Sequence, residues 1–192
     1  MHELPPIGAI IDSEVLLNRL KYQGRKYTYR VDRLKLPNGK IGDYEYIQHP
    51  GAGIAIPITA DAKFVLVKQY RFAISRYILE FPAGTLEPNE DPADTIKREL
   101  EEETGFRGHT WQKLGSFFLC PGYSDEVIHA YLAQDLEKLT HPPAADEDEE
   151  IEVVLCDRHE LEQLINSGDI GTSLDAKSIT GFYLALKYLD NL

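Results

Sequence analysis

A segment with two well-marked ends, residues 91–105, constrains this chain more than any other feature. The side chain of Asp91 suits the position that caps the start of a helix. Pro92 suits the first helical position, because its fixed φ is helical and an N–H is not needed there. Gly105 suits the left-handed position just after a helix end. The sequence therefore predicts one helix from Pro92 to Thr104.

This predicted helix has two neighbouring faces of opposite character. An apolar stripe follows the helical period of about 100° per residue: Ala93, Ile96 and Leu100. Beside it, spacings of three and four residues bring Glu99, Glu102 and Glu103 together on one face. Glu101 points the other way. A helix that buries its apolar stripe against a sheet places the three carboxylates at the rim of that interface, where a cleft can form.

Three like charges on adjacent turns repel one another, and some positive charge must offset the repulsion. Arg98 reaches Glu102 four residues later and Glu90 in the preceding loop, which leaves Glu99 and Glu103 without a predicted cation. Oxygen ligands of this kind suit Mg²⁺ or Mn²⁺. A glutamate-rich helix face is also common as a plain solvated surface, so the cluster alone leaves both interpretations open.

Composition excludes several classes of function. The chain has 192 residues and a net charge of −12, which repels nucleic-acid backbones. The longest apolar runs are too short to span a bilayer, and residues 1–6 lack the pattern of a secretory signal. We therefore expect a cytoplasmic protein without a membrane or nucleic-acid partner. Cys120 and Cys156 have no metal-ligand spacing and are expected to be buried or half-buried thiols.

The remaining pattern predicts strands and helices around the central helix. An alternating strand over 27–36 turns at Asn38-Gly39 and returns over 41–48, so the first fifty residues form a small antiparallel sheet. The segment before Tyr27 is mixed in character. Further strands are predicted at 51–58, 63–70, 111–119, 127–133 and 151–156, and further helices at 158–166 and 173–189. We assign Trp111 and Phe117 to the core.

The order of these elements favours a mixed α/β sandwich over a regular alternation of strands and helices. We predict a division into an N-terminal sheet, residues 1–49, and a main domain, residues 50–192.

The central segment also matches a known motif. Gly84 is followed after five residues by Glu90, and after seven more by Arg98-Glu99-Leu100-Glu101-Glu102-Glu103-Thr104-Gly105-Phe106. This arrangement resembles the Nudix box at every one of its fixed positions. The resemblance implies the Nudix fold, an α/β/α sandwich around a mixed sheet, and hydrolysis of a nucleoside diphosphate linked to another group.

The same resemblance assigns roles to residues of the box. Glu99 and Glu103 are expected to bind Mg²⁺, for which Mn²⁺ is a possible substitute, and Glu102 is expected to support them in catalysis. The main-chain carbonyl of Ala83 is expected to join the metal ligands. Gly84 is expected to let the loop turn tightly beside the helix.

Beyond the box, the chain resembles the ADP-ribose pyrophosphatase branch of the Nudix family. Pro121 lies sixteen residues after Gly105, where that branch carries a proline. The segments 68–71 and 79–84 are also similar to the branch pattern, and by that match Arg71 contacts the substrate phosphates. The resemblance implies that ADP-ribose is cleaved to AMP and ribose 5-phosphate.

A second acidic cluster, residues 146–152, is by itself typical of a solvated loop. In similar enzymes this loop supplies a catalytic carboxylate, which aligns with Glu147, and a further metal ligand, which aligns with Glu149. A shift of one or two positions keeps Asp148 and Glu150 open as alternatives.

The N-terminal sheet has an implied role as well. In similar enzymes it exchanges between subunits of a homodimer and helps to form the adenine and ribose pocket of the partner. Tyr27, Tyr29 and Arg30 are candidates for substrate contacts there, and ordinary half-buried strand residues are an equal alternative.

Three alternatives remain open for the activity. The same fold and metal chemistry suit another nucleotide sugar, such as GDP-mannose or a UDP-sugar, and they suit a dinucleoside polyphosphate. The remaining alternative is a domain that senses ADP-ribose without cleaving it. The intact Glu99, Glu102 and Glu103 argue against the sensor.

Overall fold

The computed structural model describes residues 7–143, 150–169 and 174–191. These residues form two compact units. The N-terminal unit consists of the described residues up to His49 together with Cys120–Asp125. The main unit consists of Pro50–Leu119 and the described residues from Glu126 onward.

The N-terminal unit is a three-stranded antiparallel sheet in the order β1-β2-β3. Its strands are β1 (Glu14–Gln23), β2 (Thr28–Lys35) and β3 (Ile41–Gln48). The predicted Asn38-Gly39 turn is confirmed, with Gly39 at a φ of 82°. The mixed segment before Tyr27 is the strand β1. All its residues are exposed and its pairing has two register shifts, so the alternation that marks a half-buried strand is missing.

The segment Cys120–Asp125 joins this unit through β3. The N–H of Ile47 donates to the carbonyl of Tyr123 at 2.8 Å. The N–H of His49 donates to a carboxylate oxygen of Asp125 at 2.7 Å.

The main unit contains all the helices and the other strands of the described residues. Its strands are β4 (Ala52–Pro57), β5 (Phe64–Arg71), β6 (Arg76–Glu80), β7 (Ala83–Thr85), β8 (Phe106–Phe118), β9 (Val127–Lys138) and β10 (Ile151–Cys156). Its helices are α1 (Pro92–Thr104), α2 (Arg158–Ser167) and α3 (Ala176–Leu189).

These strands form a mixed sheet in the order β7-β4-β9-β8, with β4 and β9 parallel, and an antiparallel sheet in the order β10-β5-β6. Along β4, Ala55 packs with Ile96 of α1, whereas Ile54 and Ile56 pack in the cluster that contains Phe182 of α3. Because successive strand side chains face opposite sides, α1 and α3 cover opposite faces. The predicted α/β/α sandwich is confirmed.

Several boundaries differ from the sequence prediction. The strands β8 and β9 are longer than predicted, because they continue as a paired ribbon to Phe106 and Lys138. The short strands β6 and β7 were not predicted, since each is short and partly polar. Helix α3 begins at Ala176, with Asp175 as its N-cap, and not at residue 173.

The central helix α1 has the predicted ends. The side chain of Asp91 accepts a hydrogen bond of 2.8 Å from the N–H of Ala93. Gly105 ends the helix with a φ of 67°, and its N–H donates to the carbonyl of Glu101. Ile96 and Leu100 are fully buried, as the apolar stripe predicts.

The predicted packing of two core residues is confirmed, but their side chains are less buried than expected. Trp111 and Phe117 pack against the buried clusters but are only partly buried themselves. Cys156 is buried and Cys120 is half-buried, as expected, and both are free thiols. Across the described ranges no helix has the length and apolarity that crossing a membrane requires.

Candidate active site

Helix α1 places a buried carboxylate against the short strand β7. The N–H of Ala83 donates a hydrogen bond of 3.1 Å to the Oε2 atom of Glu103. Glu103 is only 8% exposed, so it lies deeper than the rim position that the sequence predicted. A carboxylate that accepts a backbone N–H is held in one orientation.

One turn earlier, Glu99 packs against the next residue of β7. A Cβ atom built on Gly84 would lie 2.2 Å from Oε1 of Glu99 and 2.3 Å from its Cγ. Only glycine therefore allows this close approach. Together, Glu99 and Glu103 bring the acidic face of α1 onto the two residues Ala83 and Gly84.

Arg98 lies among the carboxylates, and one of its contacts differs from the sequence prediction. Its Nη1 atom is 2.9 Å from Glu99 and 3.0 Å from Glu102, and its Nη2 atom is 3.5 Å from Glu90. Glu99 therefore has a cation, contrary to the prediction, because the long arginine side chain bends back to a neighbouring residue. Burial lowers the pKa of Arg98, but the charges of Glu99, Glu90 and Glu102 more than offset this, so the pKa is raised.

Glu101 points away from this cluster, as predicted. It forms an ion pair with Arg107 at 2.6 Å. Its pKa is lowered mainly by the hydrogen bond from Arg107. Glu101 is therefore a natural control for the other glutamates of the helix.

The acidic face fits a divalent metal by its chemistry. Within the described ranges, no three His, Cys, Asp or Glu side chains already converge on one point, and Arg98 bridges Glu90, Glu99 and Glu102. Nevertheless, the potential ligands are all oxygen atoms, which Mg²⁺ prefers. Three carboxylates around one guanidinium also leave an excess of negative charge. The glycine at position 84 gives Glu99 the space that a ligand beside the loop requires.

Arg71, the predicted phosphate contact, ends β5 and pairs with the buried Glu80. Its Nε atom lies 3.2 Å and 3.0 Å from the two carboxylate oxygens of Glu80, and its Nη2 atom also bonds to Glu80. Burial lowers the pKa of Arg71, but the charges of Glu80, Asp175 and Glu103 raise it above its ordinary value. Arg71 is thus within electrostatic range of Glu103, the predicted metal ligand.

The residues that contact Glu80, the partner of Arg71, were not predicted from the sequence. Glu80 also contacts Lys177 of α3 at 3.2 Å, and Lys177 bonds to Asp175. The only signal was a glutamate between the apolar residues Leu79 and Phe81. Nothing in the sequence indicated that a lysine ninety-seven residues later would be the partner of Glu80.

The predicted adenine and ribose contacts belong to the N-terminal unit. Tyr27 is 46% exposed and stacks on His49, with ring centroids 4.8 Å apart. Tyr29 and Arg30 are half-buried in β2, and the hydroxyl of Tyr29 donates to Glu45 at 2.7 Å. Pro121 is exposed in the segment that pairs with β3.

The predicted loop carboxylates Glu147 and Glu149, with the alternative Asp148, lie outside the described residues. The remaining alternative, Glu150, is described and exposed. Its Oε2 atom accepts a hydrogen bond of 3.0 Å from the hydroxyl of Tyr77.

A family model of the NUDIX domain matches residues 47–173. The chain belongs to the Nudix family. This confirms the resemblance inferred from the motif around Glu99 and Glu103, and it makes the protein a hydrolase of that family.

Two curated relatives match this Nudix chain over nearly all of its length. An ADP-ribose pyrophosphatase of Bacillus subtilis is 35% identical over 92% of this chain and 95% of its own. A methanol dehydrogenase activator of Bacillus methanolicus is 37% identical over 95% of each chain.

A solved structure supports the Nudix fold. A crystal structure of an ADP compounds hydrolase superposes with a TM-score of 0.79 at 23% identity, covering 95% of this chain and 97% of that one.

Proposed function

We propose that this Nudix hydrolase uses Mg²⁺, with Mn²⁺ as a possible substitute, to cleave the diphosphate of ADP-ribose. Water adds to one phosphorus, the bridging bond breaks, and the products are AMP and ribose 5-phosphate. The observation that carries the proposal is the placement of Glu99 and Glu103 on Ala83 and Gly84. The Bacillus subtilis relative named ADP-ribose pyrophosphatase supports the choice of substrate.

The glutamates of α1 hold the metal in this proposal. Glu99 and Glu103 are the side-chain ligands, the carbonyl of Ala83 joins them, and Glu102 supports them. When bound, Mg²⁺ neutralises the diphosphate oxygens and lowers the pKa of the attacking water. Arg98 holds Glu99 and Glu102 in place by its hydrogen bonds.

Two further carboxylates complete the proposed chemistry. Glu147 takes the proton of the attacking water as a general base, and Glu149 adds a metal ligand. Asp148 and Glu150 are the alternatives within the same loop.

Arg71 binds the phosphates in this proposal. Its Nε and Nη2 atoms donate hydrogen bonds to Glu80. Among the residues that the structure describes, Nη1 has no acceptor, and 39% of the Arg71 side chain is exposed. That free edge of the guanidinium has the fork geometry that suits phosphate oxygens.

The N-terminal unit serves dimerisation in this proposal. Its strand β1 exposes Val15, Leu17 and Leu20 by 54%, 52% and 49%. A three-stranded sheet with so much exposed apolar surface is typical of an interface. In the homodimer, Tyr27, Tyr29 and Arg30 contribute to the adenine and ribose pocket, and Pro121 is a further substrate contact.

We also place the protein in the cytoplasm, without a nucleic-acid or membrane partner. The net charge of −12 supports the absence of a nucleic-acid partner, because phosphate backbones are repelled.

The test is chromatographic analysis of the products from ADP-ribose, GDP-mannose, UDP-glucose and diadenosine diphosphate with Mg²⁺. We expect ADP-ribose to be the preferred substrate and to give AMP and ribose 5-phosphate, with no reaction in EDTA. Glu103→Gln should abolish the reaction. Glu101→Gln, on the same helix but paired with Arg107, is the matched control and should leave it unchanged.

Two results would contradict the proposal in different ways. Preferred cleavage of another substrate would keep the Nudix chemistry and overturn the assignment of ADP-ribose. Tight binding of ADP-ribose without release of AMP would identify a sensor in place of an enzyme.

A further inference from the structure

Four charged side chains meet where β5, β6 and the start of α3 come together: Arg71, Glu80, Asp175 and Lys177. Two of them are almost inaccessible, with Glu80 at 3% and Lys177 at 9% exposure. Charged residues are seldom buried this deeply unless they are paired. The positions of these partners therefore depend on one another.

The carboxylate of Glu80 lies between two cations. Lys177 contacts its Oε1 atom at 3.2 Å, and Arg71 contacts both of its oxygens through Nε. Rotation of this carboxylate would break the contact with Lys177. Since Nε and Nη2 of Arg71 both bond to the carboxylate, its plane sets the plane of the guanidinium.

The charges of the group balance only when Lys177 is present. Burial lowers the pKa of Lys177, but the charges of Asp175 and Glu80 raise it overall, so the ammonium form is kept. Without Lys177, the two anions Glu80 and Asp175 would share the single cation Arg71. Arg71 would then be drawn toward a second carboxylate.

The first turn of α3 holds the same stretch of chain by a second contact. The hydroxyl of Ser178 accepts a hydrogen bond of 2.9 Å from the buried N–H of Phe81. Residues 80 and 81 are thus fixed by neighbouring side chains of α3. Lys177 neutralises the charge of Glu80, whereas Ser178 holds the backbone of Phe81.

We propose that Lys177 is a positioning residue for phosphate binding: through Glu80 it holds the guanidinium of Arg71 with one edge directed away from the carboxylate. This inference rests on the proposed function, in which Arg71 binds the substrate phosphates. Lys177 itself contacts Glu80 and Asp175, and neither of these is among the proposed metal ligands.

The first test observes Arg71 directly and needs no substrate. In ¹⁵N-labelled protein, the Nε–H signal of Arg71 is identified by its loss in Arg71→Lys. We expect Lys177→Met to shift and broaden this signal well below the melting temperature. An unchanged signal would overturn the proposal, since Arg71 would then keep its geometry without Lys177.

The second test is a double-mutant cycle on the hydrolysis of ADP-ribose. Lys177→Met should lower kcat/KM about tenfold when Arg71 is present, and less than about twofold when Arg71 is replaced by Gln. A role in stability alone would give equal losses in both backgrounds, which would contradict the proposal.

Lys63→Met is a matched control, because Lys63 pairs with Asp157 at the N-cap of α2 just as Lys177 pairs with Asp175 at the N-cap of α3. Lys63 does not contact Glu80, so this variant should leave the Arg71 signal unchanged. A change as large as that of Lys177→Met would overturn the specific link.

A second variant covers the case in which Lys177→Met does not fold. Lys177→Met with Asp175→Ser removes one charge of each sign, and serine keeps a good N-cap. The Arg71 signal should again shift, because Glu80 has lost its second cation, and an unchanged signal would overturn the proposal. If the proposed function is wrong, the wild-type protein will release no AMP from ADP-ribose. This result is distinct from every outcome of the tests on Lys177.

Discussion

The Oε2 atom of Glu103 accepts a 3.1 Å hydrogen bond from the N–H of Ala83, which joins the last turn of α1 to the strand β7. The bond directs a buried carboxylate at the residue whose carbonyl is proposed as a metal ligand. Burying an anion is costly unless it is hydrogen-bonded and neutralised. The contact therefore links the stability of this region to the cation that we propose binds there.

Gly84→Ala should separate activity from stability. The added methyl group would lie 2.2 Å from Oε1 of Glu99, so the carboxylate must move. Because a glutamate side chain is flexible, the fold should survive with a small change in melting temperature. Steady-state assays should show a loss in kcat/KM of roughly 100-fold or more, since a displaced metal ligand misplaces the reacting groups. Full activity would show that Glu99 is not a ligand in its observed position.

Mg²⁺ should raise the melting temperature, because a ligand that binds only the folded state stabilises it. At 100 times its dissociation constant, one ion adds about 2.7 kcal/mol, which corresponds to roughly 5–10 °C for a chain of this size. EDTA should reverse the shift in differential scanning fluorimetry. The shift should be lost in Glu103→Gln and kept in Glu101→Gln. An equal shift in both variants would place the ion elsewhere.

Acid should weaken the fold partly through Asp175. Burial raises the pKa of this carboxyl, but Lys177 and Ser178 more than offset it, so the pKa lies below its ordinary value of 3.8. A depressed pKa contributes stability above the unfolded value, and the contribution is lost as the pH falls through the folded value.

Asp175→Asn tests this contribution, because asparagine keeps the N-cap and removes the charge. Its stability at pH 7 should fall by roughly 1–3 kcal/mol, the usual loss for a charged hydrogen bond. Urea titrations between pH 7 and pH 3 should show a shallower decline in the variant than in the wild type. Parallel declines would mean that Asp175 does not titrate with folding.

Leu20→Glu should disrupt the proposed homodimer, because it places a charge in the exposed apolar surface of β1. Light scattering should give twice the chain mass of 21.8 kDa for the wild type and the single mass for the variant at low micromolar concentration. The KM for ADP-ribose should rise, since the base pocket is shared in the proposal.

Leu155→Glu is the matched control for dimerisation, because Leu155 is 50% exposed but lies on β10 of the main unit. It should leave the mass unchanged. A monomeric wild type would contradict the homodimer.

The sequence by itself determined the ends of the central helix and the arrangement of its faces. Asp91, Pro92 and Gly105 set the ends of α1, because capping and turn preferences act over a few residues. The helical period set which glutamates share a face and which apolar residues are buried. The hairpin at Asn38-Gly39 followed for the same local reason.

Only the tertiary structure decided which distant groups meet. The strand β1 carries no alternation, because both its faces are exposed, and it is defined by its pairing with β2. Arg98 was predicted to leave Glu99 without a cation, yet it folds back to that residue within the packed loop and helix.

The group of Arg71, Glu80 and Lys177 shows most clearly what could not be predicted from the sequence. Lys177 lies ninety-seven residues after Glu80. Local propensities and periodicity carry information over one or two turns, whereas a buried ion pair is selected by the low dielectric around it and by the chain topology that brings its partners together. The sequence therefore determined the acidic face of α1. The packing of α3 against the sheet decided which residues contact Glu80, the partner of Arg71.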